Sequence, residues 1–144
     1  MNTEKHKEER KMMTFGEFRK QLDYRDYSKA TDLYNDYFKD SVQVGDGATV
    51  CYWSDRHAYD VIAKTPCTLT LRRCKATLKP TFKPEFIPGS FAAHCVNNNE
   101  QDYDYENDPD GVIKKAYWSK KNHRYYVDKL PVTAGRHEHY DYNF

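Results

Sequence analysis

The sequence predicts an α+β fold: an N-terminal helical hairpin followed by an antiparallel β domain of about six strands. Three observations predict it. A capping box opens an apolar-periodic stretch early in the chain, and the texture changes at Val44. From there, short runs alternate apolar and polar residues between turn-forming clusters. The helices are assigned to residues 1–40 and a β-rich ligand-binding part to residues 41–144.

Met1 to Arg10 is charged and reads as a frayed lead-in. Thr14-Phe15-Gly16-Glu17 fits the capping box, in which Thr14 accepts from the Glu17 amide and Glu17 reaches back. Phe15, Phe18 and Leu22 then share one helical face. Asp23 to Tyr27 breaks the pattern. A second helix from Ser28 carries an apolar stripe of Ala30, Leu33, Tyr34, Tyr37 and Phe38.

Gly45 and Gly47 flank Asp46 and favour a turn. Ala48 to Trp53, Tyr59 to Ala63 and Thr68 to Arg72 read as three strands of a meander. Lys79 to Gly89 holds Pro80, Pro84 and Pro88 and is expected to be an extended loop. Asp102 to Glu106 alternates Asp and Tyr, and Asn107 to Gly111 is a turn. Val112 to Ser119 and Arg124 to Lys129 form a hairpin, and Arg136 to Phe144 alternates again.

A chain of 144 residues can bury a core without metal or disulfide staples. Its apolar supply is tilted toward aromatics, with 13 Tyr, 7 Phe and 2 Trp, which suits half-buried surfaces and interfaces. The net charge of +1 removes a global drive toward long nucleic acid. No apolar run reaches membrane length, and the charged N-terminus has no h-region, so a cytosolic setting is expected. Cys51, Cys67, Cys74 and Cys95 contain no C-x-x-C pair and read as small apolar residues in a reducing compartment.

Four constellations could carry chemistry. Ser54-Asp55-Arg56-His57 reads either as a turn that caps its own backbone or as a phosphate site, with the Arg56 fork helped by Ser54 and His57. Ser54 with His57 is a poor nucleophile pair, being three residues apart on a turn without a G-x-S-x-G elbow. Arg72, Arg73 and Lys75 form a basic strand end. His137 and His139 share a face but lack an evident third metal ligand. Phe82, Phe86 and Phe91, with Asn97 to Asn99 behind them, suit base stacking and base-edge reading. Arginines for phosphate, with aromatics and amides for a base, make a nucleotide-binding combination. The acidic run Asp102 to Asp110 lacks calcium-loop spacing.

V-G-D-G-A-T, S-D-R-H-A, L-R-R-C-K-A-T, Y-E-N-D-P-D-G and G-R-H-E-H-Y-D-Y-N-F resemble a family of small phage and prophage proteins, the anti-Thoeris sponges. The resemblance covers roughly residues 42 to 144. It implies a non-catalytic protein that sequesters cyclic ADP-ribose isomers, and in some members cyclic oligonucleotides, inside the host bacterial cytoplasm. It also implies a homo-oligomer with the ligand at a protomer interface and no cofactor. Carried onto this sequence, it assigns phosphate binding to Arg56 and Arg136, with Lys75 as a further candidate. Two departures stand out. Cys74 stands where the family has an acidic residue, and Lys79 to Gly89 is a Pro-rich insertion. An aromatic-surfaced inhibitor of a host protein and a histidine-dependent phosphodiesterase are the alternatives.

Overall fold

The computed structural model describes residues 12–87 and 94–143. Phe91, the Met1–Arg10 lead-in and Phe144 lie outside them. Strands β1 (Gly47–Cys51), β2 (Arg56–Lys64), β3 (Thr68–Arg73), β8 (Ile113–Ser119), β9 (Arg124–Val127) and β10 (Leu130–Ala134) close into an antiparallel barrel. The strand order is β1-β10-β9-β8-β3-β2. Two two-stranded ribbons stand beside it. One pairs β4 (Lys75–Leu78) with β7 (Tyr103–Glu106), the other β5 (Phe86–Ile87) with β6 (His94–Cys95).

The period-two pattern explains the filling of the barrel. Val50 of β1, Val61 of β2, Leu69 and Leu71 of β3, Ala116 of β8, Tyr125 of β9 and Val132 of β10 all belong to one buried cluster. A register shift between Val61 and Ala63 bends β2 as it passes β3.

The N-terminal region is helical, in two stretches of unequal weight. Helix α1 spans only Phe15–Lys20 and starts at the expected capping box, with Glu17 N donating to Thr14 Oγ1 at 3.2 Å and Thr14 N to Glu17 Oε1 at 2.9 Å. A 3₁₀ segment, Tyr24–Lys29, runs straight into helix α2 (Ala30–Ser41). The stripe seen in the sequence divides: Phe38 meets Tyr125 of the barrel edge-on at 5.9 Å, while Tyr34 and Tyr37 pack on Phe15 and Phe18 of α1. Lys64 Nζ donates to the Lys39 and Val42 carbonyls and so caps the helix end. Phe38 and Val42 share their core with the strands.

Strand β10 was not expected. Pro131 hides it, because a proline cannot donate to a ladder. Pro131 lies opposite Tyr126 of β9, and the pairing with β1 begins only at Val132. The final segment differs from the expected strand in the other direction. It makes one isolated bridge, Arg56 with His139, and is held mainly by side chains.

Candidate functional site

Three side chains bind the segment after β10 to the barrel wall. Thr49 points outward from β1 yet is fully buried, donating to Gly135 O at 2.7 Å and accepting from His137 N at 2.8 Å. Arg136 Nε and Nη2 both donate to Asp60 Oδ1, at 2.8 and 2.6 Å, and Nη2 also reaches Gly45 O. Glu138 accepts from Arg73 through both carboxylate oxygens, at 2.8 and 2.7 Å, and from Ala58 N at 2.8 Å. Gly47 is needed here, since a β-carbon would run into the Arg136 side chain.

This docking lays the segment along β1 and β2, from Arg136 beside Asp60 to His139 beside Arg56, and it occupies most of the sequence-predicted residues. The Ser54 turn is closed by Tyr52 N donating to Asp55 O, and Asp55 Oδ1 accepts from Asp141 N at 2.8 Å. His57 stacks against Tyr52 with centroids 4.7 Å apart. Burial, then the neighbouring Arg73, lowers its pKa against the pull of Glu138 and Asp55. Asn97 is a clip, its Oδ1 accepting from Glu85 N and its Nδ2 donating to Lys83 O, both at 2.8 Å. Phe82 is buried against Tyr142, while Phe86 remains half exposed. Lys75 is exposed on the β4–β7 ribbon, opposite Glu106. Arg136 is committed to Asp60. Arg56 alone among the predicted arginines is exposed, and among the described residues no side chain hydrogen-bonds its guanidinium.

A cleft of about 600 Å³ opens between the helices and the barrel. Phe15 and Tyr34 line one wall, Asn35 lies on the α2 side, and Arg124, Thr133 and His137 form the barrel side. Tyr34 is fixed by donating to Met13 O at 2.8 Å and by an edge-on contact with Phe15 at 5.5 Å. Asn35 is 8% exposed, and its Nδ2 has no partner. A buried amide donor left unmade costs about 1–3 kcal/mol, so the position is primed for an acceptor. The His137 ring is open on one side. The atoms packed on its other side still lower its pKa by desolvation, the Ala134 carbonyl works against this, and Arg56 reinforces it.

Arg56 is not part of the cleft's lining, but it is near enough to His137 to act on its charge. Its register partner is Cys51, whose Sγ lies 4.0 Å from Thr133 Oγ1 on the cleft wall. Neighbouring strands sit about 4.8 Å apart, and the Arg56 backbone stands two such spacings from β10. A second groove, lined by Asp60, Asp104 and Glu106 beside Tyr103 and Tyr105, presents carboxylates and disfavours an anion. Sequence reading missed Asn35, Tyr34 and Arg124. The signal for Asn35 was its place three residues before Phe38, a polar residue on the apolar face.

Among the described residues no cluster of three His, Cys, Asp or Glu could hold a metal ion, and no helix is long and apolar enough to cross a membrane. Comparison with protein-family models, curated proteins and solved structures finds no match for the chain.

Proposed function

We propose that this protein is a phage-encoded sponge that sequesters a cyclic ADP-ribose isomer or a cyclic oligonucleotide without cleaving it, and so blocks Thoeris TIR signalling in the host bacterial cytoplasm. The observation that carries the reading is the cleft with a buried, unpartnered Asn35 amide between aromatic rings and Arg124, with Arg56 near enough to act on His137 of its lining. An adenine would stack on Phe15 or Tyr34 and accept a hydrogen bond from Asn35 Nδ2. The pyrophosphate would lie between the Arg124 and Arg56 forks. This keeps Arg56 from the sequence-based set and gives the roles expected of Arg136, Asn97 and Phe82 to other side chains. A homo-oligomer would close the open side of the cleft with a second protomer and slow release of the ligand.

The exposed rings favour one second reading. Trp53 is 90% exposed, with Tyr140 at 54% and Phe86 at 48%; the Asp55–Asp141 contact joins the first two segments, and Phe86 meets Tyr142 edge-on. Such a surface suits direct inhibition of a host protein. Calorimetric titration with cyclic ADP-ribose isomers and cyclic oligonucleotides, followed by heating and chromatography, separates the readings. The sponge requires tight binding and release of the intact nucleotide. Absence of binding to every one of them transfers the assignment to the host-protein inhibitor.

A further inference from the structure

The near-zero net charge conceals a segregation of charge. From Val112 to Val127 the sequence holds five basic residues, Lys114, Lys115, Lys120, Lys121 and Arg124, and no Asp or Glu. This stretch forms β8, its turn and β9. The inward positions of this part of the wall are Leu69, Leu71, Ala116 and Tyr125, all buried in the core. Alternation therefore places Lys115, Tyr117 and Tyr126 on the outside.

Register brings the outward residues together. Tyr117 lies opposite Tyr126 and, on its other side, opposite Thr68. Lys115 lies opposite Thr70, and Arg72 opposite Ile113. Tyr117 is 58% exposed, and Lys115, Lys120 and Lys121 are exposed. Asp32 and Asp36 of α2 flank His123 at one end of the face, and His123 holds Asp36 at 2.9 Å. Asp128 follows β9 at the opposite end of that strand.

We propose that this outer face of β3, β8 and β9 binds single-stranded nucleic acid, with bases stacked on Tyr117 and Tyr126 and phosphates held by Lys115, Lys120 and Lys121. The charge complementarity names an anionic partner. The pairing of exposed Tyr117 with half-buried Tyr126 distinguishes a strand with free bases from a bare polyanion, because base–tyrosine stacking needs unpaired bases. The surface lies on different side chains from those assigned to sequestration and stands whether or not that reading holds.

The test is fluorescence anisotropy of a labelled oligodeoxythymidylate of about 15 nucleotides with the full chain, in low and in near-physiological salt. Three phosphate contacts predict a log–log salt slope of about −2. Tyr117→Ala should weaken binding about tenfold, and Lys120→Glu with Lys121→Glu should weaken it further. Circular dichroism of each variant excludes unfolding as the cause. A matching duplex should bind more weakly than the single strand. Failure to bind in low salt overturns the proposal. So does Tyr117→Ala binding as tightly as wild type, or a duplex or heparin binding as tightly as the single strand, which would mark a purely electrostatic surface.

Discussion

Arg73 and Glu138 are joined by two parallel hydrogen bonds at the point where β3 leaves β2. The last pair of that ladder is Tyr59 with Arg73. Beyond it, Glu138 accepts from Ala58 N, and His139 exchanges both backbone bonds with Arg56 at 2.9 and 3.0 Å. The segment after β10 thus takes over the edge of β2 that β3 abandons. Glu138→Ala strands a half-buried guanidinium and an edge amide together. Breaking a buried pair costs about 3–5 kcal/mol, and the partial exposure of Arg73 lowers the expectation to about 2–3 kcal/mol. Urea denaturation at neutral pH measures it. A loss below about 1 kcal/mol would mean the pair behaves as a surface ion pair.

Thr49→Val keeps the volume and removes both hydrogen bonds that fasten Gly135 and His137. A destabilisation of about 1–3 kcal/mol is expected, because two backbone groups lose the hydroxyl of a fully buried side chain. Limited proteolysis should cut first near residues 135–140 in the variant. Identical cleavage kinetics in the two proteins would show that Thr49 does not fasten the segment.

Asn35 separates stability from binding. Asn35→Leu replaces an unsatisfied amide with an apolar group of similar size, so stability should rise by about 1 kcal/mol. Affinity for the cyclic nucleotide should fall at least about tenfold, the equivalent of about 1.4 kcal/mol. Arg56→Ala should weaken binding while leaving the thermal midpoint unchanged, since its side chain holds nothing in the free protein. Unaltered affinity in both variants would remove the cleft from consideration.

His57 and His123 should titrate on opposite sides of the ordinary histidine value of about 6.5. Burial and Arg73 hold His57 down, whereas Asp36 raises His123. Below about pH 6.5 the unfolded chain protonates His57 before the folded protein does. Its contribution to stability is therefore present above that pH and lost as pH falls toward the depressed folded value. His123 works the other way: its contribution is full below about 6.5 and is lost as pH rises through its raised folded value. Imidazole proton shifts followed by NMR between about pH 5 and 8 report both. A His57 midpoint at or above 6.5 would contradict its half-buried, tilted packing against Tyr52.

What could be read from the sequence was what local chemistry decides. The Thr14–Glu17 box and the Phe38 stripe depend on spacings of three and four residues and stand where periodicity puts them. The turn at Ser54 is likewise closed within four residues. What escaped depends on partners far along the chain. Arg136 reads as a free cation until Asp60, 76 positions away, is seen to hold it. Asn97 reads as a base-reading amide until Lys83 and Glu85 occupy both its ends. Strand β10 was hidden by one proline whose missing donor the ladder tolerates at that register.

The pairing of β1 with β10 also sets an order of events during synthesis. Ala48 waits for Ala134, so the seam cannot form until nearly the whole described chain has left the ribosome. The β1–β2–β3 meander first carries two open edges; β8 then covers the one on β3, and the one on β1 stays open until β10 emerges. Open edges recruit other strands, and closures between distant segments are slow. The nascent chain is therefore most vulnerable to aggregation before its last barrel strand emerges, and a holdase that covers β1 would raise the yield of folded protein more than one that covers α2.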